Sequence, residues 1–364
     1  MSNILILANF DVGLYKFRKD LIKKFIEQNH EVYLSLPYGD LVEPLIAMGC
    51  HFVETPVDRR GINPLTDGKL FLKYLKLMRK IKPDLVITYT IKPNIYGGLS
   101  ARILGIPNAV KITGLGTAFQ KEGMVKKLVC FLYRISCKRA NPIFFENEGN
   151  RQTFLEHHLA KKEQTVTLPG AGIHLHEYPY TPYPKSGPEK EVRFLFIGRV
   201  MKEKGVDELF EAARNIKEKY PKTEFDIVGP YEDDYEKTIE KLTKDHIIHF
   251  HGYQEDVKPF LEKCHAFVLP SYHEGMANTL LEAGSMGRPL ITSRIHGCME
   301  AVEEGKNGYL VKAQDAKDLE EKMIQFIELD DETKEQFVRE SRRIMEEKFE
   351  KGKVVGMTVE HLSI

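Results

Sequence analysis

The chain has 364 residues, of which 42% are hydrophobic and 29% charged, a normal balance for a globular protein with room for two domains. Its net charge of zero conceals an asymmetry, because residues 1–180 carry 25 Lys and Arg against 16 Asp and Glu, whereas the rest is acidic. This bias is too weak to predict nucleic-acid binding, and we expect neither a membrane-spanning run nor a signal peptide.

The amino half alternates short apolar runs with helical patterns. The predicted strands are "NILILA", "EVYLSLP", "DLVITYT" and "AVKIT", and the predicted helices cover residues 15–29, 67–81 and a short stretch at 95–105. Such alternation indicates βα crossovers and therefore a parallel sheet.

The carboxyl half repeats this scheme from "RFLFIG" to "GYLV" and ends in an amphipathic helix around residues 334–349. Three prolines and a glycine in "TPYPKSGPEK" make residues 181–190 the natural linker. The sequence thus predicts an α/β protein of two doubly wound, Rossmann-like domains, 1–180 and 191–345, that face each other across a cleft. Helix 346–364 is expected to pack back on the first domain.

Three kinds of nucleotide site compete in the sequence. The stretch "GLGTAF" resembles a dinucleotide fingerprint, but its third glycine position is Phe119 and no acidic strand end follows at the required distance. A P-loop motif is absent. The stretch "FLFIGRVMKEKG" instead places Gly198, Arg199 and Lys204 on a loop after a strand, where a guanidinium and an ammonium suit a diphosphate. A solvated basic loop is the alternative.

A second strand, loop and helix start lies in "AFVLPSYHEGMANTLLE". Gly275 permits close backbone approach, and the first amides of the following helix favour an anion. These are the amides of Met276, Ala277 and Asn278. Glu274 before the helix suits sugar hydroxyls and Glu282 inside it suits a ribose diol, so the stretch predicts a nucleotide-diphosphate-sugar site. The alternative is one solvated loop glutamate and one surface helix glutamate.

In order and spacing, "GRVMKEKG", "SYHEGMANTLLEA", "GRPLITS" and "EEGKNGYLV" resemble the carboxyl half of the family-four retaining glycosyltransferases of GT-B fold. The amino half is similar to an N-acetylgalactosaminyltransferase-like subgroup through "NFDVGLYKFRKDLI", "TYTIKPNIYG", "ITGLGTAF" and "PGAGI". That subgroup adds N-acetylhexosamines or hexoses to polyprenyl-diphosphate-linked sugars for capsule, O-antigen or glycoprotein glycans. The resemblance implies a UDP-sugar donor, a polyprenyl-diphosphate-linked sugar acceptor, and retention with formation of an α linkage.

The resemblance also assigns roles to residues. Arg199, Lys204 and Glu274 are expected at the reacting centre, with the two cations on the donor diphosphate and the carboxylate at the donor sugar. The donor-side positions are Gly13, expected in a loop that faces the diphosphate, and Gly198, Tyr253, Gly275, Met276, Ala277, Asn278 and Glu282. The acceptor-side positions are Thr113, Gly114 and Gly116, together with Lys92, Asn94 and Tyr96, which are expected there because "TIKPNIYG" lies at the carboxyl end of a predicted strand. Many family members carry a histidine in the region of Thr113, but this chain has none there. No general base is therefore assigned to the amino half.

Retention is expected through attack on one face of a short-lived oxocarbenium ion, with a protein nucleophile as the alternative. The two cations and the helix amides stabilise the leaving diphosphate, so we expect no metal cofactor. The histidines of "HIIHFH" (His246, His249 and His251) are better explained as edge-strand residues than as metal ligands, and the acidic "EDDY" as solvated surface. His273 either touches the site or packs in its loop.

Two basic amphipathic helices are predicted in the amino half, at residues 69–81 and 124–139. They predict either peripheral binding to an anionic membrane, at the inner face of the cytoplasmic membrane, or ordinary helices with lysines in water. Five widely spaced cysteines without a CxxC pair predict reduced core residues in the cytoplasm.

Two other functions compete with glycosyl transfer. A nucleotide-sugar 2-epimerase of GT-B fold would yield free monosaccharide or epimerised donor without an acceptor. A non-catalytic nucleotide-sugar binding protein would bind the donor and turn nothing over.

Overall fold

The computed structural model describes residues 1–58, 61, 63–116, 119, 123–185 and 191–362. It divides into two compact units, the first made of Met1–Ala171 with Gly352–Ile364 and the second of Gly172–Lys351. Each unit contains one parallel sheet with helical crossovers, so the predicted class of two Rossmann-like α/β domains is confirmed.

The described residues of the first unit form seven strands and six α-helices before the chain leaves it. The strands are β1 (Asn3–Leu7), β2 (Glu31–Leu36), β3 (His51–Glu54), β4 (Leu85–Tyr89), β5 (Asn108–Ile112), β6 (Ile143–Phe145) and β7 (Thr165–Thr167). The helices are α1 (Asp11–Glu27), α2 (Val42–Ala47), α3 (Pro64–Ile81), α4 (Gly98–Leu104), α5 (Met124–Ser136) and α6 (Glu148–Glu156). The sheet order is β3-β2-β1-β4-β5-β6-β7.

In the second unit, the part of the chain that the structure describes forms six strands and six α-helices. The strands are β8 (Arg193–Ile197), β9 (Glu224–Val228), β10 (His249–Phe250), β11 (Ala266–Leu269), β12 (Leu290–Ser293) and β13 (Gly308–Val311). The helices are α7 (Val206–Lys219), α8 (Glu236–Lys244), α9 (Lys258–Lys263), α10 (Asn278–Ser285), α11 (Ala316–Glu328) and α12 (Asp331–Ile344). The sheet order is β10-β9-β8-β11-β12-β13, which makes β8 and β11 neighbours.

Burial explains which strands the sequence revealed. The central strands β4 and β5 are buried at every position, so they read as continuous apolar runs. The three strands that the sequence did not reveal, β3, β6 and β7, are only three or four residues long and lack a measurable period. Local signals set the start of α3, where Pro64 occupies the first turn and the Asn63 side chain accepts from the amide of Leu65 at 3.0 Å.

The chain enters the second unit earlier than the proline-rich linker predicts. The Ser285 hydroxyl donates to the Tyr178 carbonyl at 2.6 Å, and Nη2 of the fully buried Arg288 donates to the Thr181 carbonyl at 3.1 Å. These side-chain bonds anchor the segment after Gly172 to the second unit, so the first part of the predicted linker 181–190 lies within that unit. Residues 186–190 lie outside the described residues.

The last helix, α13 (Lys351–Glu360), follows a π-helical turn at Met345–Phe349. Leu362 beyond this helix is buried in the core of the first unit, and Val355 and Val359 pack against the same core. All five cysteines are buried, which confirms that they are core residues. Within the described residues, no helix combines the length and apolar character needed to cross a bilayer.

Candidate active site

Two loops of the second unit meet at the carboxyl edge of its sheet. One follows β8 and the other follows β11, and parallel neighbouring strands end at the same edge. The Tyr272 amide of the second loop donates to the Glu203 carbonyl of the first at 2.9 Å. Gly205 has a φ of +73°, and a Cβ at this position would lie 2.0 Å from the Pro270 carbonyl oxygen. Only glycine therefore allows the loops to approach this closely.

This approach brings together two predicted catalytic residues. Lys204 Nζ lies 2.5 Å from Glu274 Oε1, although the two residues are 70 positions apart in sequence. Their side chains are only 19% and 12% exposed, and the buried Ser271 hydroxyl donates to the same carboxylate oxygen at 2.9 Å. A partly desolvated ion pair held by a further hydrogen bond has a defined geometry, so we place Lys204 and Glu274 at the centre of the candidate site.

Arg199 reaches the same edge from the loop after β8, next to Gly198. Its side chain is 49% exposed, and its Nη1 lies 3.2 Å from Glu232 Oε1. The neighbouring Asp233 accepts from the Lys202 amide at 3.0 Å. Two residues of the acidic "EDDY" stretch thus contact the basic loop and orient it, a role that the sequence alone did not indicate.

The helix α10 begins at Asn278, four residues after Glu274 of the Lys204–Glu274 pair. Met276 and Ala277, just before the helix, are buried. The Ala277 amide donates to the Gly297 carbonyl at 2.8 Å, so one of the three predicted anion-binding amides is already used within the protein. Gly297 has a φ of +91°, and a Cβ there would lie 2.7 Å from the Glu274 carbonyl oxygen. The segment around Gly297 therefore supports the loop that holds Glu274 and Gly275.

Glu282 lies on α10 and forms a hydrogen bond with Tyr178, a residue that the sequence gave no reason to select. Burial, and then the charge of Glu282, raise the pKa of the Tyr178 hydroxyl, so this group stays protonated and donates to the carboxylate. The Tyr178 carbonyl accepts from Ser285 Oγ at 2.6 Å and from Arg342 Nη1 at 3.2 Å. Tyr178 thus fixes the position of the carboxylate predicted to bind ribose.

The predicted acceptor-side residues Lys92 and Tyr96 converge on one carboxylate in the first unit. Lys92 Nζ lies 2.7 Å from Asp67 Oδ1, and the Tyr96 hydroxyl donates to Asp67 Oδ2 at 3.0 Å. Asp67 is 8% exposed, and burial with this hydrogen bond raises the pKa of the Tyr96 hydroxyl. The sequence did not select Asp67, because it lies on α3, far from Lys92 along the chain.

Asn94, predicted beside them, is 1% exposed, and its amide donates to the Lys111 carbonyl at 3.1 Å. This placement gives Asn94 a packing role inside the first unit rather than a surface contact.

The expectation that Gly13 lies in a loop is wrong. The helix α1 begins four residues earlier than predicted, so Gly13 lies in its first turn, next to the Phe10 ring.

The other predicted positions lie on loops. Thr113, Gly114 and Gly116 follow β5, and Gly116 has a φ of +69°. Tyr253 follows β10 and is 67% exposed, while His273 is exposed next to Glu274.

The first unit also contains a buried charged cluster that the sequence did not predict. Arg18 Nη2 lies 2.5 Å from Glu146 Oε1, Lys111 Nζ lies 3.8 Å from the same oxygen, and all three side chains are at most 11% exposed. Lys111 is a single charge in the apolar run of β5, which is the signal that could have drawn attention to it. Of these residues, Arg18 and Lys111 line a cavity together with Tyr89, near the carboxyl ends of β4 and β5.

The histidines of "HIIHFH" do not converge on a common point. His249 pairs with Glu224, and His251 lies 2.7 Å from Asp226, with both carboxylates on the neighbouring strand β9. β10 is the edge strand of its sheet. The edge-strand interpretation therefore holds for His249, with His251 directly after the strand, whereas His246 lies before β10.

The fold and the paired loops define a class, the two-domain glycosyltransferases of GT-B fold. The family described as Glycosyl transferase 4-like matches residues 3–147, and that described as Glycosyl transferases group 1 matches residues 184–344. The chain therefore belongs to the glycosyltransferases and is an enzyme.

Named relatives and solved structures agree with this class. The chain is 28% identical to the N,N'-diacetylbacillosaminyl-diphospho-undecaprenol alpha-1,3-N-acetylgalactosaminyltransferase of Campylobacter jejuni, over 88% of both chains. It is 29% identical to the UDP-Gal:alpha-D-GlcNAc-diphosphoundecaprenol alpha-1,3-galactosyltransferase of Escherichia coli, over 70% of this chain and 69% of that one. The crystal structure of Anabaena HepE with UDP and glucose matches with a TM-score of 0.80 at 16% identity, over 100% of both chains, and shares the fold.

Proposed function

We propose that this enzyme transfers a hexose or N-acetylhexosamine from a UDP-sugar to a polyprenyl-diphosphate-linked sugar, with retention and formation of an α linkage. The observation that carries the proposal is the Lys204–Glu274 pair, which places a cation for the donor diphosphate beside a carboxylate for the donor sugar. The names of the two relatives support the acceptor class, since both act on sugars linked through a diphosphate to undecaprenol. The HepE complex supports UDP as the nucleotide.

In this mechanism the bond between the sugar C1 and the diphosphate oxygen breaks while an acceptor hydroxyl oxygen approaches C1 from the same face. The acceptor proton passes to the departing diphosphate oxygen, so no protein base is needed. Arg199 and Lys204 stabilise the negative charge that grows on the diphosphate. A mostly buried, preorganised donor such as Lys204 is worth roughly 3–4 kcal/mol, and the half-exposed Arg199 contributes less because water screens it. Glu274 accepts from hydroxyls of the donor sugar, and Glu282, fixed by Tyr178, accepts from the ribose.

The same scheme requires no metal ion, because cationic side chains occupy the role that a divalent ion would play at the diphosphate. In the structure, Lys204 is paired with Glu274. A diphosphate with more than one negative charge competes well for this ammonium, and the released carboxylate then faces the sugar. The pair thus links donor binding to the orientation of Glu274.

We further propose that α5 holds the enzyme at the inner face of the cytoplasmic membrane. Its exposed apolar residues Met124, Leu128 and Phe131 are 84%, 49% and 55% exposed and follow helical spacing, with Lys127 and Lys138 exposed nearby. An exposed apolar stripe beside basic residues is typical of an interfacial helix.

The helix α3 does not share this property. Its apolar residues Leu70, Tyr74 and Leu77 are buried in the core of the first unit, and its lysines point to solvent. The expectation that α3 offers an apolar face to the membrane is therefore wrong, because that face already packs against the sheet. Its lysines can contribute only long-range attraction to anionic lipid.

One experiment tests the proposed reaction against its two rivals. The purified chain is incubated with a panel of UDP- and GDP-sugars, with and without a polyprenyl-diphosphate-linked sugar. We expect UDP release and an extended lipid-linked glycan only when both substrates are present. Epimerised or free sugar without the acceptor would indicate a 2-epimerase, and donor binding without any turnover would indicate a binding protein.

A further inference from the structure

Three side chains with metal-ligating chemistry converge at the start of the second unit. The ligand atoms of His174, His176 and Glu177 all lie within 4.8 Å of one another. The two imidazole rings have centroids 5.1 Å apart and an interplanar angle of 66°. His174 is half-buried, and the other two residues are exposed to solvent.

The backbone explains this convergence. The His174 carbonyl accepts from the amides of Glu177 and Tyr178 at 3.1 and 3.2 Å, which closes a tight turn. The turn places the three side chains close together in a short segment. Four other histidines in the described part of the chain each contact a single carboxylate, as His249 does with Glu224 and His296 with Glu300. The segment at His174 instead provides two imidazoles and one carboxylate.

We propose that His174, His176 and Glu177 bind one divalent transition-metal ion of the Zn²⁺ class. Two imidazoles and a carboxylate are a donor set that Zn²⁺ accepts, with bonds of about 2.0–2.2 Å and a fourth position left to solvent. Such bonds bring ligand atoms to about 3.5 Å from one another, so the side chains must close by about 1 Å. Rotation of the two exposed side chains supplies this movement without a change in the fold.

The position of the site gives the metal a consequence. Glu177 directly precedes Tyr178, whose hydroxyl contacts Glu282 and whose carbonyl is held by Ser285 and Arg342. A metal bound to the turn restricts the backbone next to Tyr178 and preorganises its contact with Glu282. Binding of UDP to a preorganised site costs less conformational entropy, so the metal strengthens UDP binding. This coupling rests on the proposed function, because it assumes that Glu282 binds the ribose.

Calorimetric titration of the full chain with ZnCl2, without nucleotide, tests the site. We expect one equivalent to bind in the wild type and in the matched control His249→Gln, which removes another exposed histidine. The variant His176→Gln is expected to bind at least tenfold more weakly, since it loses one of three ligands. Co²⁺ provides a second readout through visible absorption that depends on imidazole coordination. Equal Zn²⁺ binding in all three proteins would overturn the site.

Titration with UDP, with and without Zn²⁺, tests the coupling. We expect Zn²⁺ to tighten UDP binding about threefold in the wild type and in His249→Gln but not in His176→Gln, and UDP to tighten Zn²⁺ binding by the same factor. The His176→Gln variant corrects for metal bound by UDP itself. Unchanged UDP affinity in the wild type would overturn the coupling. The titration with ZnCl2 alone decides the metal site whether or not UDP is the donor.

Discussion

The predicted sites in the two units differ in how they are built. In the second unit, Lys204 and Glu274 come from two sequence motifs that each follow a strand, and the structure places them in direct contact. In the first unit, Lys92 and Tyr96 come from one motif, and both contact Asp67, which no motif contains. The donor-side site is therefore built from two recognisable motifs, whereas the acceptor-side cluster depends on a residue from a helix.

The physical reason lies in the origin of the side chains. Loops at the ends of neighbouring parallel strands share one edge, so strand order alone brings their residues together. The packing of a helix on a sheet has no such rule, and Asp67 reaches Lys92 only because α3 buries Leu70 and Tyr74 against the same sheet. Sequence motifs are thus better guides to strand-end sites than to helix-derived ones.

The largest expected effect concerns the donor-side pair. Replacing Lys204 with alanine should lower kcat by about 10²–10³, because it removes a cation from the growing charge on the diphosphate. Arg199→Ala should lose about tenfold or more, since its half-exposed side chain is better screened. Initial rates of UDP release measure both, with Lys202→Ala as the control from the same loop. A loss below tenfold in both variants would contradict their assignment.

The next effect separates α5 from α3. The triple variant Met124→Ser, Leu128→Ser and Phe131→Ser should weaken binding to anionic vesicles about hundredfold. Each of the three apolar side chains is only partly buried at a membrane interface, so it contributes about 1 kcal/mol, less than the roughly 1.5–3 kcal/mol of full burial. The α3 variant Lys76→Gln with Lys80→Gln should weaken binding about fivefold per lysine at low salt and little at high salt. Vesicle co-sedimentation measures both. If the α5 variant loses equal activity on a soluble acceptor analogue, the membrane role is wrong.

A smaller effect should mark the acceptor-side cluster. The substitution Asp67→Asn removes the negative charge that orients Lys92, and it weakens the hydrogen bond between residue 67 and the Tyr96 hydroxyl. Hydrogen bonds to a charged group contribute about 1.5 kcal/mol or more, and this free energy is lost. We expect the KM for the lipid-linked acceptor to rise about tenfold while the KM for the donor stays unchanged. The exposed carboxylate of Asp40 provides the control variant Asp40→Asn. A rise in the donor KM instead would place Asp67 outside acceptor binding.

The smallest expected effect is that of metal removal. EDTA should leave at least half of the turnover rate, because Arg199 and Lys204 rather than a metal ion neutralise the leaving diphosphate. Steady-state rates with saturating donor measure this, so that a change in UDP affinity does not enter. Loss of all activity, restored only by a divalent ion, would contradict the metal-free mechanism.

Several features were determined by the sequence alone. The alternation of apolar runs and helical patterns predicted two parallel-sheet domains, because strands buried on both faces and amphipathic crossover helices leave clear patterns. The ordered motifs of the carboxyl half predicted Arg199, Lys204, Glu274 and Glu282, because each lies within a strand, loop and helix start that can be read locally.

Other features were decided only by the tertiary structure. The pairing of Lys204 with Glu274, the contacts of Tyr178 and Asp67, and the burial of Asn94 and of the apolar face of α3 all join residues from separate elements. The chain enters the second unit at Gly172, before the proline-rich segment 181–190 that the sequence predicted as the linker. Local patterns report on propensity and periodicity, but long-range contacts depend on which surfaces pack together, and no single segment encodes that choice.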